Sequence, residues 1–310
     1  LNERGRAVGL GGRPLGADSL LLGGPGEVPA AGPRPHDPPR PEAPKAIDPA
    51  GEDHGGGRSE RLVSALDPLL DFYYRYWFRV DAEGLENIPA EGGALLVCNH
   101  SGALPPDAPM IMQAIRNEGR GARPVYMLGE QRFEGFPAVR ALTSRLGVVA
   151  ADGDDVERLL ADEGQLALVF PEGAGGTRKV LWQRYRLRRF DRSRFVRTAL
   201  RARVPIVPIA LIGGEEAMPI FAHMRFLERV TGQVQVPFNH AFPHFGPLAP
   251  LMYMPAKFRI RFLEPVDIPA LPAGTLDDAG AVESIAERIR TRIQTSLDEM
   301  LAERRSVWLG

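Results

Sequence analysis

The sequence predicts an α/β fold: a mostly parallel sheet covered by helices on both faces, preceded by an N-terminal helical segment and a disordered tail. Three observations carry that expectation. Short continuous apolar runs, such as Ala94 to Cys98, Gln165 to Phe170 and Pro205 to Leu211, read as strands buried on both faces, the pattern of parallel sheets rather than half-wet ones. Segments with helical periodicity separate them, so that each parallel crossover has its helix. A length of 310 residues with 44% hydrophobic content is enough for one large core.

Residues 1–57 fall outside that core. They hold 13 Gly and 10 Pro but no Phe, Trp or Tyr. Such a segment buries too little apolar area to offset its ordering entropy, so a disordered tail is expected. Residues 58–90 form the N-terminal segment, where Leu62, Leu66, Leu69, Leu70, Tyr73, Trp77 and Phe78 recur at helical spacing. Pro68 lies inside this run and is expected to break or kink it into two short helices. The second piece carries Phe72, Tyr73, Tyr74, Tyr76, Trp77 and Phe78, a cluster that suits a membrane interface or core packing equally well.

Residues 91–310 form the α/β domain. Its first strand runs from Ala94 to Cys98, followed by a helix from Pro109 to Arg116 and a strand from Pro124 to Leu128. Next come a helix from Pro137 to Leu146, a short strand from Val148 to Ala150 and a helix from Val156 to Asp162. A strand from Gln165 to Phe170, a helix from Arg194 to Arg203 and a strand from Pro205 to Leu211 complete the alternation. Lys257 to Leu263 alternates charge with Phe258, Ile260 and Phe262, as an edge strand with one wet face would. Glu283 to Arg304 closes the chain as an amphipathic helix. Residues 217–256 are rich in Pro, Phe and Met and read either as an apolar, lid-like insertion or as a packed loop.

Composition excludes several functions. A net charge of −1 argues against bulk nucleic-acid binding. A single cysteine, Cys98, rules out an intrachain disulfide and a Cys-rich zinc module, and makes a reducing compartment the expected one. No apolar stretch reaches eighteen residues, so no membrane-spanning helix is expected.

Two segments follow strand ends, where open α/β sheets gather their chemistry. The first is Asn99-His100-Ser101-Gly102-Ala103-Leu104-Pro105-Pro106-Asp107. If its turn folds back, Asp107 can fix the tautomer of His100 and leave the other ring nitrogen as a base; a backbone-satisfied histidine with Asp107 as a helix cap is the plainer alternative. The second is Phe170-Pro171-Glu172-Gly173-Ala174-Gly175-Gly176-Thr177-Arg178-Lys179. It is not a nucleotide-binding P-loop, since Val180 follows the lysine where Ser or Thr is required. Beyond it, eleven Lys or Arg lie between Arg178 and Arg203 against Asp191 alone. That run is either a solvated face or a contact with anionic lipid or phosphate.

These two segments, in this order, resemble the glycerolipid (lysophospholipid) acyltransferase family, whose hallmark is His, a short spacer and Asp, followed later by Phe-Pro-Glu-Gly. Val204-Pro205-Ile206-Val207-Pro208, then Gly213-Gly214-Glu215-Glu216, is similar to a third block of that family, and Val80 to Pro89 to its lead-in. The resemblance covers roughly residues 60–270 and implies acyl transfer from acyl-CoA or acyl carrier protein, as co-substrate rather than cofactor, to a glycerolipid hydroxyl. His100 would be the general base and Asp107 its orienting partner. Phe170, Pro171, Glu172 and Gly173 would shape the acceptor site, and Arg178 or Lys179 would hold an acceptor phosphate.

Two departures from the family pattern bear on this. Six residues rather than four separate His100 from Asp107. Asp152 stands about where the family often has a phosphate-binding Arg, which weakens lysophosphatidate as the acceptor and makes diacylglycerol, another neutral lipid alcohol or a lysophospholipid as reasonable; Arg132 is a substitute phosphate ligand. The expected partners are a membrane lipid surface and the acyl donor, with no metal and no nucleic acid, at the cytoplasmic membrane face. A non-catalytic lipid-binding protein on the same fold is the rival from another class. A Cys98 nucleophile, a metal held by His240 and His244, and a hydrolase lacking any Gly-x-Ser-x-Gly elbow are weaker readings.

Overall fold

The computed structural model describes residues 57–101, 106–119, 123–129, 137–151, 154–190, 193–223, 237–238, 240 and 252–310. The proposed tail before residue 57 lies outside the described residues, as do residues 224–236 and 241–251 of the lid-like stretch.

A seven-stranded sheet organises the chain. Its strands are β1 (Asp81–Glu83), β2 (Ala94–Cys98), β3 (Val125–Gly129), β4 (Val148–Ala150), β5 (Leu166–Val169), β6 (Ile206–Ile212) and β9 (Arg259–Phe262), and they lie in the order β1-β9-β6-β2-β5-β3-β4. Every pairing is parallel except β6 with β9. A separate antiparallel ribbon joins β7 (Ala222–His223) to β8 (Pro237–Phe238). Every residue of the central strands β2 and β6 is buried, as expected of strands with helices on both sides.

The side chains of these strands alternate between two cores. Leu95, Val97, Ala167, Ile206, Ala210 and Ile212 face a layer built by α4 (Asp154–Ala161), α5 (Arg194–Ala202) and α7 (Ala279–Glu303). Leu96, Cys98, Leu168, Val207, Ile209 and Leu211 face the other side, against α2 (Asp107–Glu118) and the aromatic residues that follow α1 (Glu60–Phe72). Among the described residues, the remaining α-helices are α3 (Pro137–Arg145) and the single turn α6 (Gly214–Ala217).

Two expectations need correction. Pro68 does not divide the N-terminal segment: α1 runs through it and passes at Tyr73 into a π-helical stretch, Tyr73–Trp77, where Phe78 N–H bonds the Tyr73 carbonyl at 2.8 Å. Tertiary contacts outweigh the lost backbone bond. Asp67 pairs with Arg116 of α2, Asp71 accepts from Asn117 at 3.1 Å, and the Tyr74 hydroxyl donates to Glu118 at 2.5 Å. The aromatic cluster then splits. Tyr74 and Phe78 enter the core, Tyr73 and Trp77 pack on Tyr253, and Phe72 and Tyr76 stay exposed.

The second correction concerns β9, which is not an edge strand. It lies between β1 and β6. Its charged face, Arg259 and Arg261, reaches carboxylates rather than bulk water: Glu303 takes Arg259 at 2.8 Å, while Glu83, Glu299 and Glu303 take Arg261. Alternation of charge with apolar residues reports two different environments for the two faces of a strand, and an ion-paired face gives the same pattern as a wet one.

Candidate active site

The candidate residues converge at the carboxyl ends of the three neighbouring strands β6, β2 and β5. The chain leaves β2 through Asn99, whose fully buried side chain accepts from Leu211 N–H at 2.8 Å and donates to Leu211 C=O at 2.9 Å. This clamp fixes the first residue after β2 to the end of β6, and His100 follows directly. Asn99→Ala would strand two buried backbone groups, so we expect a loss of about 2–5 kcal/mol of unfolding free energy. Urea titration checks this, and a change below about 0.5 kcal/mol, the range of ordinary surface substitutions, would mean that the clamp is dispensable.

Despite the six-residue spacer, His100 and Asp107 meet: Nδ1 lies 3.1 Å from Asp107 Oδ2. Asp107, at the start of α2, is fully buried and also accepts from Ser101 N–H at 2.9 Å and from the Ser101 hydroxyl at 2.5 Å. The carboxylate is thus held by His100 and Ser101, the two residues after Asn99. Phe170 stacks on the His100 ring with centroids 4.2 Å apart and planes 18° apart. The imidazole is fixed by a carboxylate at Nδ1 and by an aromatic face. Its side chain keeps 18% exposure, and among the described residues Nε2 has no hydrogen-bond partner. A neutral imidazole held in this way donates from Nδ1 and presents Nε2 as an acceptor, which is the form that a general base needs.

The Phe-Pro-Glu-Gly segment forms the turn after β5. Gly173 has φ of 51° and opens a 3-10 stretch, Gly173–Arg178, a backbone conformation that glycine adopts without a Cβ penalty. Pro171 and Glu172 are buried. Glu172 Oε1 accepts the backbone N–H of His100 at 3.1 Å, and Oε2 that of Arg188 at 2.8 Å. Gly176 packs so closely that a Cβ there would lie 2.7 Å from His100 Cβ.

The basic residues do not act as one group. Lys179 is buried, with Nζ 2.7 Å from Glu215 Oε1 and 3.4 Å from Glu172 Oε1. Burial opposes its charge, but Glu215 and Glu172 hold the ammonium above its ordinary value. Arg178 is partly exposed and lines an open cleft of about 510 Å³, together with Gly175, Val180, Trp182, Arg188 and His223. The His223 ring bonds the Arg178 carbonyl at 2.8 Å. Arg132 lies outside the described residues.

Sequence reasoning missed much of the supporting shell. The Gly-Gly-Glu-Glu block after β6 comes up under the dyad, and a Cβ at Gly214 would lie 2.3 Å from Ser101 Oγ and 2.5 Å from Asp107 Oδ1. Glu215 Oε2 accepts Tyr185 N–H at 2.9 Å. Glu216 takes the Tyr185 hydroxyl and, at 2.9 Å, Arg304 from the end of α7. The Tyr185 hydroxyl itself accepts Gly213 N–H at 2.7 Å. The similarity of Gly213-Gly214-Glu215-Glu216 to the family's third block was the signal the sequence offered for it, without the partners.

Burial pushes the Glu215 carboxyl up to about 7, against the pull of Lys179. A raised carboxyl means that the folded protein holds a proton the unfolded chain has lost, so stability falls as pH rises from the ordinary 4.5 to about 7. Glu215→Gln is expected to flatten that slope in denaturant melts across the window; identical slopes in the two proteins would contradict it. Cys98 offers no rival chemistry. It is fully buried, and burial, reinforced by Asp107 and Glu172, pushes its thiol well above the ordinary range, whereas reactive thiols have lowered values.

A His–Asp pair beside a Phe-Pro-Glu-Gly turn, at the strand ends of a mostly parallel α/β sheet, is the arrangement that the resemblance to the acyltransferase family implies. The family model Acyltransferase matches residues 79–212. An uncharacterized protein of Mycobacterium tuberculosis is 38% identical over 243 residues, covering 78% of this chain and 67% of that protein. The chain belongs to the acyltransferase family. A Gallus gallus protein named DGAT1/2-independent enzyme synthesizing storage lipids is 27% identical over 221 residues, 69% of this chain and 60% of its own. Among solved structures, the 1-acyl-sn-glycerophosphate acyltransferase PlsC of Thermotoga maritima aligns with 21% identity and a TM-score of 0.49, over 78% of this chain and 81% of that one.

Proposed function

We propose that this acyltransferase moves a fatty acyl group from an acyl thioester to a hydroxyl of a glycerolipid, with His100 as general base and Asp107 as its orienting partner. The 3.1 Å contact of His100 Nδ1 with a fully buried Asp107 carries the reading. His100 Nε2 takes the proton from the acceptor hydroxyl as its oxygen attacks the thioester carbonyl. The tetrahedral intermediate collapses to the ester. The departing thiolate takes the proton back from the imidazolium, which leaves as products an ester and a free thiol. Asp107 orients the ring and stabilises its positive charge. No acyl-enzyme is needed, and the buried Cys98 supports a direct transfer.

The acceptor is a glycerolipid hydroxyl. The storage-lipid relative and Asp152, which stands where the family often has a phosphate-binding Arg, favour a neutral one such as diacylglycerol over lysophosphatidate. Exposed Trp182, with the exposed Arg184, Arg186 and Arg188 close to it in the chain, suits a membrane surface where such acceptors reside. Among the described residues, no helix is long and apolar enough to cross a membrane.

Free-thiol release from long-chain acyl-CoA and from acyl carrier protein, with diacylglycerol, lysophospholipid and lysophosphatidate in turn, tests the proposal. Acceptor-dependent release is expected, strongest with diacylglycerol. Lipid binding without release from either donor, in folded protein, would make this a lipid-binding member of the family.

A further inference from the structure

Resting on that reading, we infer that Lys179 is a positioning residue for His100 and not a ligand of the substrate. Three charged side chains meet behind the dyad, each almost fully shielded from solvent: Glu172 at 0%, Lys179 at 1% and Glu215 at 4% side-chain exposure. Lys179 is their keystone. Its ammonium spans Glu215 at 2.7 Å and Glu172 at 3.4 Å, and so joins the turn after β6 to the turn after β5.

Glu172 passes this constraint to the base. The oxygen that faces Lys179 is the one that accepts His100 N–H at 3.1 Å, while its other oxygen accepts Arg188 N–H at 2.8 Å. The position of the His100 backbone therefore depends on Glu172 being held in place in a buried site. A buried carboxylate needs a compensating charge, and among the described residues Lys179 is the cation paired with Glu172. Without the ammonium, Glu172 loses the partner that holds it and turns away, and the His100 N–H loses its acceptor. The same geometry leaves Lys179 poorly suited to a phosphate, since both carboxylates already occupy its reach and the side chain is closed to solvent.

Lys179→Met tests this by two readouts. The first is kinetic. Misplacing a reacting group by about 1 Å can cost about 10²-fold, so kcat is expected to fall about 10- to 100-fold with every acceptor that turns over, while KM stays within about threefold. The second is amide hydrogen exchange at His100 and Arg188, which is expected to speed up at least about tenfold as Glu172 lets go. Because the single variant strands Glu215 as well, Lys179→Met/Glu215→Gln is made beside it. The double variant should melt closer to wild type and still show both the kcat loss and the faster exchange.

A KM increase confined to lysophosphatidate would overturn the inference and make Lys179 an acceptor ligand. Unchanged exchange at His100 in the double variant would also overturn it. If the wild-type protein turns over no acceptor at all, the acyl-transfer reading falls, and the exchange measurement alone decides the role of Lys179.

Discussion

His100→Ala is expected to lower acceptor-dependent thiol release by about 10²- to 10⁴-fold, the usual contribution of a positioned base, while acyl-donor binding stays within about twofold. The variant should fold. Asp107 loses one donor but keeps two, the backbone N–H and the hydroxyl of Ser101, so no buried carboxylate is abandoned. The missing ring opens space against one face of Phe170, beside a side chain that was already partly exposed. The loss therefore belongs to chemistry and falls on kcat rather than on the melting temperature. Release that survives in the variant would remove His100 from the mechanism, and donor binding that falls in step with turnover would make the residue a binding contact.

Gly214→Ala is expected to come next in size, at about 10²-fold in kcat. A single methyl there would lie within 2.5 Å of Asp107 Oδ1 and 2.3 Å of Ser101 Oγ, both buried at the heart of the dyad. The serine hydroxyl can rotate away. Asp107 cannot, because the Ser101 backbone and the start of α2 hold it, so the carboxylate shifts and His100 Nδ1 loses its partner. Overpacking of this kind also costs about 1–3 kcal/mol of stability. Steady-state kinetics alongside a thermal melt separate the two effects, and a variant with kcat within about twofold of wild type would show that the dyad tolerates displacement.

Strand identity was largely legible because burial on both faces leaves a plain mark: Ala94–Cys98 and Val148–Ala150 run as expected, and the others differ by a residue or two at their ends. Asp81–Glu83 was not legible, since three residues with two acids carry no strand signal until β9 offers them a partner. Pro68 misled because helix propensity is local, whereas the bonds from Asp67, Asp71 and Tyr74 to α2 are not. Arg259 and Arg261 misled because a charge pattern cannot tell water from the carboxylates of α7.

The site divides in the same way. Residue type and spacing left His100 and Asp107 open between a base with its partner and a capped loop; the resemblance to the acyltransferase family singled out these two and Phe170 to Gly173. Lys179 and Arg178 are adjacent and chemically alike, yet one is closed in between two glutamates and the other lines an open cleft. Nothing in the chain order of Glu172, Lys179 and Glu215 says that they meet. The parallel pairing of β6, β2 and β5 brings their ends together, and the shielding of that junction from water turns three ordinary charged residues into a coupled set. Local chemistry determined which groups are present; the register of three strands and the burial of their ends decided which of them act on one another.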